Sequence, residues 1–128
     1  GLEQRIFRHC LHSDALIAGL QTLGFPLLPA LGHHLPPLTC VQVPPHLDEL
    51  GIRKKLLNEF EIEIGGGLGP LKGKVWRIGL MGESSRSEYV LTLLSALEQL
   101  LSQAGDKITH GESLNAAAEI FARAYPLP

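Results

Sequence analysis

Apolar positions return along the chain at a small set of spacings, and each spacing predicts an element. Leu2, Ile6, Cys10, Leu16, Leu20 and Leu23 recur at three-, four- and six-residue steps, which puts them on one face of a helix over residues 2–23. Gly24 stops that helix, with Pro26 just beyond. Phe25 to Leu28 reads as a short edge strand, because Pro26 and Pro29 exclude it from a sheet centre. Residues 29–37, with three Pro, one Gly and two His, read as a loop. Thr39 to Val43 is rich in β-formers and ends at Pro44-Pro45, so it reads as a strand. Asp48 then suits an N-cap, and Ile52, Leu56 and Phe60 follow at four-residue steps on a second helix.

The second half continues the pattern. Glu61-Ile62-Glu63-Ile64 alternates and predicts a half-buried strand. Gly65 to Lys74 is a glycine-rich loop, and Val75 to Leu80 is the next strand. Ser85 and Glu88 have capping-box spacing for a third helix running to about Gln103. Its stripe, Val90, Leu93, Leu94, Leu97, Leu100 and Leu101, is the most regular in the chain. Gly105 ends it, and a last helix covers 113–125 with Leu114, Ala117, Phe121 and Tyr125 on one side. The order predicts an α/β chain of the α+β sandwich kind: a small antiparallel or mixed sheet of roughly three or four strands, covered by helices. A doubly wound parallel sheet would need more alternation of strand and helix.

Composition narrows the function classes. At 128 residues the chain is about one domain long, and 45% hydrophobic residues are enough for a core. Eleven basic against thirteen acidic residues leave a net charge of −2, which lacks the positive surplus of a nucleic-acid binder. Four Phe, two Tyr and one Trp make no stacking platform for bases. No apolar run approaches the roughly 18 residues of a membrane span. Two cysteines, Cys10 and Cys40, form no disulfide framework and favour an intracellular, most simply cytoplasmic, setting. The chain opens with no signal peptide, and the absence of an initiator Met suggests a processed product or a fragment.

Candidate chemistry is sparse. The Gly65–Lys74 loop fails the P-loop pattern, since Val75 follows Gly73-Lys74 and Leu68 stands where the first glycine belongs. It fails the dinucleotide pattern as well, with Pro70 or Lys72 at the last position and a strand following in place of a helix. A flexible connection and a ligand-facing loop both remain open readings, because five glycines let a backbone approach a ligand closely. Arg77 interrupts an apolar strand, sharing one face with Val75 and Gly79 while Trp76, Ile78 and Leu80 share the other. Its partner is either a carboxylate such as Glu61 or Glu63, water over an exposed sheet face, or a ligand carboxylate gripped by two parallel hydrogen bonds. His9, His12, His33, His34, His46 and His110 lack zinc-ligand spacing, so no metal site is expected. Ser84 and Ser85 suit helix capping and do not make a nucleophile elbow, since Arg86 and Ser87 follow.

The runs Phe60-Glu61-Ile62-Glu63-Ile64-Gly65-Gly66-Gly67-Leu68-Gly69-Pro70 and Gly73-Lys74-Val75-Trp76-Arg77-Ile78-Gly79-Leu80-Met81-Gly82 resemble the C-terminal domain of class V pyridoxal-phosphate aminotransferases. Within that class they look most like the alanine–glyoxylate and serine–pyruvate enzymes. The resemblance covers roughly residues 1–104 and implies a small domain over 1–105, of a fold-type I enzyme; the stretch over 106–128 matches nothing in that family and reads as a C-terminal helical extension. It implies that the pyridoxal 5'-phosphate, its lysine and its phosphate-binding residues belong to a large domain outside these residues. No catalytic residue is then expected in this chain, which alone would be inactive. It further implies that Arg77 binds the substrate α-carboxylate, that Gly66, Gly67 and Leu68 lie beside the substrate, and that the complete enzyme is a homodimer. Expected partners are amino-acid and 2-keto-acid substrates and the large domain. The expected reaction moves an amino group from alanine or serine to glyoxylate or pyruvate. The competing expectation is a stand-alone ferredoxin-like module that binds a small molecule without catalysis.

Overall fold

The computed structural model describes residues 1–28, 38–80 and 87–124, apart from the side chains of Arg5, Ile6, Arg8, His9, Leu38 and Ala124. The predicted loop over 29–37 with His33 and His34, the Ser84–Ser85 capping position, Met81-Gly82 and Tyr125 lie outside the described residues. Among the described residues there are four α-helices, α1 (Leu2–Thr22), α2 (Glu49–Phe60), α3 (Ser87–Gln103) and α4 (Glu112–Ala124), and three strands, β1 (Leu38–Gln42), β2 (Gly65–Gly66) and β3 (Val75–Gly79). The sheet is antiparallel in the order β1-β3-β2, so β3 is the central strand. The predicted edge segment survives as a single bridge between Leu27 and Val41, flanked by bonds from Leu28 N to Cys40 O at 2.9 Å and from Gln42 N to Pro26 O at 2.8 Å. Pro26, which has no amide donor, suits this place at the rim.

One sheet face makes the core. Trp76 and Ile78 of β3 and Val41 of β1 are fully buried with α3 residues Val90, Leu93, Leu94 and Leu97. Phe25 stacks on Trp76 with ring centroids 5.0 Å apart. Each such leucine contributes roughly 1.5–3 kcal/mol on burial, so the α3 stripe supplies a large share of the apolar stabilisation of the domain. Ser13 of α1 and Thr39 of β1 share a buried hydroxyl–hydroxyl bond of 3.2 Å, which satisfies the two polar groups on that face. Gly19 of α1 lets the two helices close up, because a Cβ there would overlap the Leu94 side chain.

The α1 stripe differs from its prediction. Leu2 is 66% exposed and Cys10 is exposed, while Leu11, Ala15, Leu16 and Leu20 form the buried face. α1 packs along α4 as well as on the sheet, with His12 set edge-on against Phe121 at 5.7 Å. Hydrophobic spacing marked Leu16 and Leu20 correctly, but missed Leu11 and Ala15, buried on a helix that also packs against α4.

The strand predicted over Glu61–Ile64 is not one. Glu61 sits at φ 56° as the left-handed cap of α2, and the Ile62 amide returns to Leu56 O at 3.0 Å. Ile62 and Ile64 are buried and Glu61 and Glu63 exposed, so the alternation records burial without pairing. Pairing begins at Gly65, with the glycines of β2. A side chain in the left-handed region costs roughly 1–2 kcal/mol. Glu61→Gly is therefore expected to raise unfolding stability by about 0.5–1 kcal/mol, read as a higher urea midpoint with an unchanged slope. No rise in midpoint would mean that the Glu61 side chain compensates its own strain.

Candidate functional site

The other sheet face carries the charge. Arg77 lies at the middle of the central strand, directly opposite Cys40 on β1 and Gly65 on β2. Along β3 its same-face neighbours are Val75 and Gly79, as period-two alternation predicts. Val75 is buried, and a Cβ added at Gly67 would overlap both the Leu71 carbonyl and the Val75 side chain, so the segment after β2 folds tightly over Val75. At the other end Gly79 is exposed, with open space where a Cβ would be. The half-buried guanidinium thus stands on a floor bounded by two glycines, a small thiol and a loop.

The guanidinium is oriented by backbone. Arg77 Nε donates to Gly66 O at 2.8 Å, and a Cβ at Gly65 would stand 3.3 Å from Nη2. Glycine at 65 is what lets the side chain lie along the strand edge without pressure on its nitrogens. Among the described residues no carboxylate comes within ion-pair distance of Arg77, so the pairing with Glu61 or Glu63 that the sequence left open does not form. Among the described residues this half-buried guanidinium is held by one neutral carbonyl, and the donors that this bond does not use suit an anion. Leu68, 67% exposed, and Leu71 give the loop an apolar outer surface. Gly69 and Gly73, at φ +56° and +80°, turn this loop through a single 3-10 turn back into β3.

Behind β2 lies a node that motif spacing did not single out. Glu49 accepts from Arg53 Nε at 2.9 Å and Nη2 at 3.1 Å, and from the buried Trp76 indole N–H at 3.1 Å. The Arg53 guanidinium holds the Glu49 carboxyl below the ordinary carboxylate range, against the opposing pull of burial and with help from Trp76. The four-residue spacing from Glu49 to Arg53, acid first, is the signal that would have found the ion pair. Its contact with the indole is a tertiary fact with no local trace.

Among the described residues no group of three His, Cys, Asp or Glu could hold a metal ion, and no helix is long and apolar enough to cross a membrane. The five lysines, Lys54, Lys55, Lys72, Lys74 and Lys107, are all exposed. None has the enclosed surroundings that a covalently held aldehyde cofactor needs, so these residues by themselves do not fit such a group.

No protein-family model matches the chain. Over 124 residues it is 42% identical to a (S)-ureidoglycine–glyoxylate transaminase of Bacillus subtilis, a match spanning 97% of this chain and 30% of that protein. It is 41% identical over 104 residues to an alanine–glyoxylate aminotransferase of Felis catus, spanning 79% of this chain and 25% of that protein. A crystal structure of a Bacillus subtilis ureidoglycine–glyoxylate aminotransferase superimposes with a TM-score of 0.87 at 42% identity, over 94% of this chain and 31% of that one. A match to 97% of the chain takes in most of the stretch after Gly105, including α4. The chain spans about 30% of the length of such relatives, and it belongs, as a C-terminal domain, to the class V aminotransferases.

Proposed function

We propose that this domain supplies the substrate-carboxylate arginine of a pyridoxal-phosphate-dependent aminotransferase. The observation that carries the reading is Arg77: an arginine on the central strand, turned to the face opposite the core, oriented by the Gly66 carbonyl and paired with no acid among the described residues. Amino donor and keto-acid acceptor share a carboxylate, so one bidentate guanidinium serves both half-reactions. Each charge-assisted hydrogen bond contributes roughly 1.5–3 kcal/mol, and more where water is excluded. Gly66 offers its carbonyl to Arg77, Gly65 and Gly67 keep that face of the strand edge free of side chains beside the carboxylate, and Leu68 presents an apolar surface to the rest of the substrate.

The enzymes of this class depend on pyridoxal phosphate, which when bound supplies the electron sink for amino transfer. Its lysine and phosphate site belong to a large domain, and Arg77 acts by binding and orienting the substrate. Residues 1–105 form the small domain and 106–128 a helical extension, in which α4 folds back on α1. The complete protein is a homodimer. Glyoxylate or pyruvate is the acceptor, and alanine or serine the donor. The Bacillus subtilis (S)-ureidoglycine–glyoxylate transaminase adds (S)-ureidoglycine as a donor to be tried beside them. A stand-alone binding module has no observation in its favour, since the matches are to thirds of transaminases.

The test is amination of glyoxylate by the complete protein with each of the three donors, followed by product amino acid and by the absorbance of bound cofactor. Glycine formation with one donor is the expected result. Bound cofactor without amino transfer to glyoxylate or pyruvate would refute the reading.

A further inference from the structure

The two glycines of β2 are gripped from both sides by guanidinium groups. On the outer face Arg77 Nε is bonded to the Gly66 carbonyl at 2.8 Å. Gly66 is in register with Trp76, whose side chain is on the core face, so a Cβ at 66 would project to that same inner face. The position it would take is 2.9 Å from Arg53 Nη2 and 3.0 Å from Arg53 Cζ. Arg53 therefore packs flat against the strand at the residue whose carbonyl orients Arg77. It is not free to drift, because Glu49 holds it by two bonds and is itself held by the Trp76 indole, one residue before Arg77. Edge strands this short gain little from their own ladder bonds. The only other support for β2 among the described residues is its pairing with β3 and the tight turn after Gly67.

From this we infer that Arg53, clamped by Glu49, is a positioning residue for substrate binding: it fixes the Gly66 carbonyl, and through it the direction of the Arg77 guanidinium. The inference rests on the carboxylate role of Arg77. Glu49 also neutralises Arg53, so the second guanidinium supports the strand without competing for the substrate anion. Arg53 touches no substrate and acts only through Gly66. A small loss of aim at a bidentate site weakens binding, because both parallel hydrogen bonds depend on the plane of the guanidinium.

The experiment is a double-mutant cycle in the complete enzyme, with KM and kcat measured for the amino donor. Arg53→Met is expected to raise KM about fivefold to tenfold with kcat changed less than about twofold, and to add little once Arg77→Lys is present. Glu49→Gln, which keeps shape and one acceptor oxygen, is expected to show the same KM-only effect at smaller size. Arg53→Lys, which keeps the charge but not the fork, should recover part of the loss. An unchanged KM in Arg53→Met or in Glu49→Gln overturns the inference. So does an equal factor with and without Arg77, or a fall in kcat that tracks a lowered melting temperature. If Arg77→Lys itself leaves KM unchanged, the carboxylate reading has failed; if it raises KM and Arg53→Met does not, only the positioning role has failed.

Discussion

Arg77→Lys in the complete enzyme should raise KM for the amino donor by about tenfold or more while the protein folds and binds cofactor normally. Charge is conserved in this substitution, so any loss reports geometry. Lysine offers a point charge on a flexible stem, whereas the arginine fork meets both carboxylate oxygens at once. The surroundings make that difference large. Arg77 Nε is already committed to Gly66 O at 2.8 Å, which fixes the plane of the group and leaves the two Nη nitrogens to meet an anion. Lysine has no nitrogen at that position, so Gly66 would lose its partner and the ammonium would be free to wander over a floor of Gly65, Gly79 and Cys40. The acceptor half-reaction should suffer equally, because a keto acid presents the same carboxylate. A variant whose KM for donor and acceptor both match the parent would show that the carboxylate is held elsewhere.

The second large effect concerns α4. Glu98, on the core stripe of α3, is only 3% exposed, yet it carries a carboxylate. It accepts from Gly111 N at 2.7 Å, from Ser113 N at 3.2 Å and from the Ser113 hydroxyl at 2.5 Å. These donors include amides at the start of α4, which helix geometry leaves without intrahelical partners, and the positive end of the helix dipole favours the anion. A side chain from one helix thus caps another across the core. Glu98→Ala strands those donors in a buried site, Ser113 being fully buried, and should cost about 3–4 kcal/mol. α4 should then detach from α1 and α3 before the sheet unfolds, visible as early loss of amide protection over 112–124.

That contact also sets an acid limit. Burial acts to raise the Glu98 carboxyl, but the Ser113 hydroxyl and the amides of Gly111 and Ser113 outweigh it, with His110 adding a little, and hold it below the ordinary value of 4.5. A depressed carboxylate contributes its full stability above the unfolded-state value and loses it as pH falls through the folded one. The stability gap between the parent chain and Glu98→Ala should therefore be constant near neutrality and shrink as pH drops below 4.5. A gap that stays constant into acid would mean that the carboxylate charge contributes nothing.

What was legible in the chain follows from what each signal encodes. The α3 stripe of leucines is buried as spaced, because a long helix against a sheet reproduces its period in burial. The face of Arg77 was legible for the same reason: two-residue alternation assigns sides without reference to any partner. Pairing was not. Ile62 and Ile64 have the composition of a strand and are unpaired, whereas Gly65 and Gly66 have none of it and pair with β3. Glycine is chosen there for lack of a side chain next to two guanidiniums, a demand that β-propensity cannot express. The Glu98 cap was invisible because its donors come from another helix, 13 and 15 residues away along the chain. Of the candidate site, Arg77 and the glycine loop stood out in the pattern of the chain, their assignment to a substrate carboxylate came from resemblance to the family, and Glu49 with Arg53 emerged only from the fold.

The most direct test pairs a change in the enzyme with a change in the substrate. The complete protein and its Arg77→Ala variant would be compared for kcat/KM with the donor acid and with the corresponding primary amide, which lacks the anion. The parent should prefer the acid by about a hundredfold or more, and the variant should lose most of that preference by losing activity on the acid alone. Equal preference in both proteins, with acid and amide reduced together, would contradict the claim that this guanidinium reads the carboxylate.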